Sequence, residues 1–172
     1  MGVRRDFDAA ETTRPGSLQG LMARYLDDLT RRNYSAETIT IRRLQLLQFA
    51  DWLAERGVAD AAAVTRPMVE RYQRWLFAYR DKKGRPLTVG YQIQRVKPLQ
   101  MLFRWAVKKH LLPANPASDL DYPRPIKRLP DVLTVEEAER VLAVPDVTTA
   151  LGLRDRAILE TFYSTGIRRT EL

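Results

Sequence analysis

Apolar and polar positions alternate along this chain with a period near 3.6, the period of an α-helix presenting one face to a core. Leu18, Leu21, Met22, Tyr25, Leu26 and Leu29 recur at threes and fours and predict a first helix over 17–32, ended by Arg31-Arg-Asn33. Ser35 is a good N-cap for a second helix reaching Arg56-Gly57, with Ile39, Leu46, Phe49, Ala50 and Leu53 on its buried face and Trp52 extending it. A third helix begins at Thr65. Val64 and Val69 can form a hydrophobic staple there, Met68, Tyr72, Trp75, Leu76 and Tyr79 continue the stripe, and Arg71 and Arg74 lie outside it. Arg80-Asp-Lys-Lys-Gly-Arg-Pro86 breaks the pattern as a cationic turn. A fourth helix over 88–112 carries Ile93, Val96, Phe103, Val107 and Leu111 inward, and Pro98 within it should kink or split it. Four helices with short connections predict a compact all-α bundle over 17–112, behind a polar lead, 1–16, expected to be mobile.

The pattern then changes. Pro113, Pro116, Pro123, Pro125 and Pro130 exclude a continuous helix or a central strand, so 113–133 reads as an extended interdomain linker, basic through Arg124, Lys127 and Arg128. Thr134-Val-Glu-Glu137 is a capping box opening a second unit, 134–172, with Ala138, Val141 and Leu142 behind it. Thr148 or Thr149 caps a further helix with Ala157, Ile158 and Phe162 on its apolar face, which ends at Ser164-Thr165-Gly166. Gly166 suits the left-handed residue that closes a helix. Arg168 and Arg169 follow directly, with Glu171 in the first turn of an expected next helix. A segment as short as 131–172 seldom closes a core of its own, so it is expected to be poorly packed.

Charge divides the chain at the same place. Residues 1–130 hold 24 Lys/Arg against 13 Asp/Glu, whereas 131–172 hold 5 against 8. Between Lys82 and Lys109 stand Lys82, Lys83, Arg85, Arg95, Lys97, Arg104, Lys108 and Lys109 with no acid among them. Lys97, Arg104 and Lys108 share one helical face. A field of one sign attracts polyanions, and with Arg42, Arg43, Lys127 and Arg128 these residues are the candidate nucleic-acid contacts, the outer faces of the second and fourth helices and the turn at 82–86 facing DNA. A solvated basic surface, or one meeting an acidic protein, is the plainer alternative. The absence of cysteine excludes disulfides and thiolate metal sites. The only histidine, His110, is expected to cap a carbonyl or pack at the end of the fourth helix, so neither a metal site nor a cofactor is implied. No run of about twenty apolar residues suggests a membrane span. The start reads as no signal peptide, and Asp6 weakens a myristoylation reading of Met1-Gly2. A cytoplasmic location is the default.

The segment Leu153-Arg-Asp-Arg-Ala-Ile-Leu-Glu-Thr-Phe-Tyr-Ser-Thr-Gly-Ile-Arg-Arg-Thr-Glu-Leu172 resembles the stretch around the first catalytic arginine of the tyrosine recombinases, the phage-integrase and Xer-like family. Ser35-x-x-Thr38 followed by Leu46, Phe49 and Leu53 resembles that family's N-terminal core-binding domain, although Arg42 stands where the family often has an aromatic residue. Asn115-Pro116-Ala117, the basic stretch and Leu129-Pro130 resemble its interdomain connection. The resemblance implies a SAM-like helical domain gripping duplex DNA, then the start of a mixed α/β catalytic domain. It implies that Arg168 is the first catalytic arginine and Glu171 its acidic companion. The parent reaction is strand exchange through a phosphotyrosyl intermediate, without metal, carried out with other recombinase subunits. The family's lysine, His-x-x-Arg motif and nucleophilic tyrosine follow that arginine and have no match here. The expectation is therefore an N-terminal fragment that binds DNA and does not cleave it alone, or a DNA-binding regulator or inhibitor of recombination.

Overall fold

The computed structural model describes residues 6–124 and 132–172. Among these the chain is mainly helical, with seven α-helices, one 3-10 turn and no strand. Contacts divide it into two units, one ending at Pro125 and one beginning at Ile126. The first five residues of the lead, and Pro125, Lys127, Arg128 and Pro130 of the expected linker, lie outside the described residues.

The first unit holds α1 (Ala9–Thr13), α2 (Leu18–Arg31), α3 (Ala36–Ala54), a 3-10 turn (Ala61–Ala63), α4 (Arg66–Ala78) and α5 (Val89–Lys108). Its start signals are met by side chains: Ser17 Oγ accepts from Gly20 N at 2.9 Å, Ser35 Oγ from Thr38 N at 3.2 Å, and Thr88 Oγ1 from Tyr91 N at 3.3 Å. Each satisfies one amide that the first turn leaves unpaired. At α4 the Thr65 side chain makes no such bond. There the staple carries the entry, with Val64 and Val69 both buried.

Three helices stop in the same way. Asn33, Gly57 and His110 adopt left-handed backbone, and the next residues, Tyr34, Val58 and Leu111, donate amide protons back to Leu29, Leu53 and Ala106. This is the Schellman closure. It corrects the expectation for His110, which sits past the helix end, exposed, and closes α5 through its backbone.

The stripes converge on one core. Met22, Tyr25, Leu29, Leu46, Phe49, Leu53, Tyr72, Leu76, Leu99, Leu102 and Phe103 are buried together, with Trp52 among them. α2 packs on α3 and α5, α3 on α5, and α4 on α5. Pro98 does not split α5. The helix continues past it, its lost amide bond compensated by burial of Val96, Leu99 and Leu102 on both sides.

Two segments are more ordered than their composition suggested. Residues 9–13 of the lead form α1, capped by Asp8, whose own amide donates to Gln19 Oε1 at 2.8 Å. A Cβ on Gly20 would stand 2.9 Å from the Thr12 carbonyl oxygen, so glycine is what lets α1 lie against α2. Residues 113–124, expected to be linker, fold onto the bundle. Ala117 and Leu120 join the core, and Arg66, Gln73 and Gln100 donate to the carbonyls of Asp119, Asp121 and Ser118. Prolines exclude a helix there but not docking.

The second unit holds α6 (Val135–Leu142) and α7 (Ala150–Thr165), which pack against each other. The capping box is complete: Thr134 Oγ1 accepts from Glu137 N at 3.2 Å and Glu137 Oε2 accepts from Thr134 N at 2.9 Å. Thr149 caps α7, and Gly166 closes it in left-handed backbone at φ 66°. Neither helix buries a residue. No strand of a mixed α/β domain is present among the described residues.

Candidate nucleic-acid interface

α2, α3 and α5 meet in a groove of the first unit lined by Tyr25, Leu29, Arg32, Tyr34, Arg42, Met101, Arg104, Trp105 and Lys108. Helical spacing puts Arg104 and Lys108 on one face of α5, with Lys97 one turn pair further along it. The packing of α3 on α5 brings Arg42 to the same groove. Arg42, Arg104 and Lys108 make no ion pair with an acid among the described residues. Arg42 instead donates from Nη1 to the Tyr25 hydroxyl at 2.9 Å, and its guanidinium lies 5.2 Å from the centre of the Tyr34 ring. Burial raises the Tyr25 phenol above its ordinary value, while the positive charge of Arg42 opposes that shift. Arg42, Arg104 and Lys108, with no ion-paired carboxylate among the described residues, repel one another, and that repulsion favours entry of an anion.

The other candidates separate into kinds that the sequence could not distinguish. Arg43 pairs with Asp6 at 2.8 Å, Arg85 with Asp81 at 2.8 Å, and Lys109 lies 3.9 Å from Asp28. Arg95 is half-buried, stacked 4.5 Å over Tyr91 and bonded to its hydroxyl, and burial holds its guanidinium below the ordinary value. Lys82, Lys83 and Lys97 are exposed and make no ion pair among the described residues. Lys82 and Lys83 sit on a turn built by Asp81, whose carboxylate accepts from the amides of Lys83 at 2.8 Å and Arg85 at 2.9 Å. The field from Lys82 to Lys109 is therefore a turn, an inward arginine and one helical face. Lys127 and Arg128 lie outside the described residues.

Sequence reasoning passed over Arg32, Tyr25 and Tyr34. Arg32 lies 5.5 Å over the same Tyr34 ring and 3.9 Å from Asp28. The available signal was Asn33, a residue type tolerant of left-handed backbone, which turns Tyr34 back beside the end of α2.

In the second unit, the chain leaves Gly166 into a turn over 169–171, where an onward helix was expected. Glu171 Oε2 accepts from the Arg168 amide at 2.8 Å and its Oε1 lies 3.2 Å from Arg168 Nη1. Glu171 thus returns to its own turn start like the third residue of a capping box. The Arg168 side chain remains 84% exposed, with its other guanidinium nitrogens free. Among the described residues no group of His, Cys, Asp or Glu could hold a metal, and no helix is long and apolar enough to cross a membrane.

A helical bundle with a cationic groove stands in one chain with a Thr-Gly-Ile-Arg corner, and similarity to known proteins gives the family. The chain is 47% identical over 152 residues to tyrosine recombinase XerC 2 of Ralstonia nicotianae, covering 88% of this chain and 44% of that protein. It is 35% identical over 147 residues to tyrosine recombinase XerC of Xanthomonas axonopodis pv. citri, covering 82% and 47%. It is 32% identical over 143 residues to tyrosine recombinase XerD of Bifidobacterium longum, covering 81% and 44%. The chain belongs to the Xer-like tyrosine recombinases and corresponds to an N-terminal part of them. It spans about half the length of the curated relatives it matches. No family model matches the chain, and no solved structure matches it.

Proposed function

We propose that this chain is the DNA-binding front part of a site-specific tyrosine recombinase. The observation that carries the reading is the groove of Arg42, Arg104 and Lys108, three cations on two helices that make no ion pair with a carboxylate among the described residues. Phosphate contacts there, extended by Lys97 and the turn lysines Lys82 and Lys83, supply most of the affinity for duplex DNA. Arg43, Arg85 and Lys109 contribute less because each faces a carboxylate, and Arg95 because it is half-buried against Tyr91. In the sequence, Lys127 and Arg128 add two cations between the bundle, a SAM-like core-binding domain, and the start of a catalytic domain.

In the intact recombinase, a tyrosine outside this chain attacks a phosphodiester and other subunits complete the exchange. Arg168 stabilises the charge that develops on the nonbridging oxygens, because its planar fork reaches two of them at once. Glu171 holds that arginine in place. This chain alone binds DNA, where it acts in the cytoplasm, and cleaves nothing.

The test is titration of labelled duplex with the 172-residue chain across a range of salt. The expected result is affinity at low salt that falls steeply as salt rises, and falls less steeply when Arg104 and Lys108 are both changed to Ala. Undetectable binding at low salt, or binding indifferent to salt, overturns the reading. A second reading, a regulator that occupies recombination sites, is favoured by the bundle having a closed core of its own. Inhibition of a full-length relative by this chain supports it, and absence of inhibition rules it out.

A further inference from the structure

Arg42 is held differently from the other cations of its groove. Arginine on a helix surface normally samples many rotamers, and fixing it on a ligand costs conformational entropy. Here two aromatic residues have already restricted it. Tyr25 is buried, its ring 5.4 Å from that of Trp105, so its hydroxyl is fixed by the core at the floor of the groove. That hydroxyl accepts one proton of Arg42 Nη1 at 2.9 Å. Tyr34 presents a ring face to the same guanidinium at 5.2 Å, and Arg32 lies over that ring at 5.5 Å. Neither contact neutralises charge. Both leave most of the Arg42 donor fork unused, opposite Arg104 and Lys108 on α5.

We propose that Tyr25 and Tyr34 are positioning residues that set Arg42 as a preorganised clamp for one DNA phosphate, Tyr25 by a hydrogen bond from the core and Tyr34 by its ring face. The proposal rests on the DNA-binding reading above and adds two residues that touch no phosphate themselves. Tyr34 also ties Arg32, at the end of α2, to Arg42 on α3, so the clamp is braced from both helices.

The experiment is a double-mutant cycle on duplex affinity with the 172-residue chain at fixed low salt, with salt slopes alongside. Arg42→Ala is expected to weaken binding about tenfold, as removal of a charged hydrogen-bonding group does, and to lower the salt slope by about one. Tyr25→Phe, which keeps the buried ring, and Tyr34→Leu, which removes the aromatic face, are each expected to weaken binding about threefold. Tyr34→Phe, which keeps the ring, is expected to match the unaltered chain. The decisive measurement repeats Tyr25→Phe and Tyr34→Leu with Arg42 already changed to Ala. Residues that act through Arg42 then have no further effect. Equal losses with and without Arg42 overturn the positioning role, as does full affinity in Tyr25→Phe and Tyr34→Leu. Those outcomes leave DNA binding by the unaltered chain intact. Absence of binding by the unaltered chain overturns the DNA reading itself, and this proposal with it.

Discussion

Residues 6–124 and 132–172 are built from the same local devices and end in opposite states. Both have polar N-caps, and both close helices with left-handed residues. Both have apolar residues at helical spacing. In the first, Leu46, Phe49 and Leu53 of α3 are fully buried. In the second, Val135 and Val141 of α6 are 63% and 46% exposed, and Leu151 and Leu153 of α7 are 65% and 59% exposed. The difference is the number of neighbours. α3 has α2 and α5 to cover it, whereas α6 and α7 have each other. Local signals set where a helix starts and stops, each worth about 1 kcal/mol. Burial of a stripe needs several elements meeting at once, and a unit of this size has too few.

The largest expected effect sets core against surface. Phe103→Ala, at a fully buried position of α5, should destabilise the bundle by about 3–5 kcal/mol. Val144→Ala, at a position 78% exposed, should change stability by no more than about 0.5 kcal/mol. Urea unfolding followed by tryptophan fluorescence reads the bundle alone, because Trp52, Trp75 and Trp105 all lie in it. Amide exchange completes the contrast: α5 should exchange near the global limit and α6 and α7 much faster. Equal protection in the two regions would break the comparison.

Caps should divide in the same way, with smaller numbers. Thr88→Ala removes the acceptor for the Tyr91 amide at the start of α5 and should cost about 1 kcal/mol of global stability. Thr134→Ala removes the side-chain arm of the capping box at α6. Its effect should be confined to α6, as a loss of local helicity in Cα chemical shifts with the tryptophan-monitored midpoint unmoved. A shift of that midpoint would mean that α6 folds together with the bundle.

What could be read from the sequence follows the range of the interaction. The helices of the bundle, their capping residues and the role of Gly166 are local, and the 3.6-residue period and cap chemistry state them directly. α1 was not legible, because five residues of helix depend on Gln19 and on the close approach at Gly20, both in the next helix. The docking of 113–124 was hidden by its prolines, which constrain backbone without saying what Ala117 and Leu120 pack against. The candidate contacts were chosen as residue types in one-dimensional order. Their pairing was not local: Arg43 finds Asp6 and Lys109 finds Asp28, far along the chain. The same distance hid the groove, whose Arg42 and Lys108 come from helices adjacent only in space. Pro98 argued for a kink or a split, and α5 runs through it as one helix.

The smallest effect compares the two regions through one device they share. Asp81, between α4 and α5, accepts from the backbone amide of Arg85, from that residue's side chain and from the amide of Lys83, and these bonds hold its carboxyl below the ordinary range. Asp146, between α6 and α7, is lowered by the hydroxyl and amide of Thr148. A carboxyl lowered in the folded state contributes stability above its unfolded pKa of about 4 and loses that contribution as pH falls through its folded value. Both turns should therefore hold at neutral pH and loosen only on acidification below about pH 4. Amide shifts of Lys83, Arg85 and Thr148 followed against pH would report it, and titration of Asp81 at or above the ordinary range would contradict it. Because both carboxylates are solvent-facing, the two turns should respond alike even though the regions around them differ in packing. Loss of the Asp81 contacts also frees Arg85, so Asp81→Asn should add one unpaired cation to the turn that carries Lys82 and Lys83, raising duplex affinity slightly at low salt and having no effect at high salt.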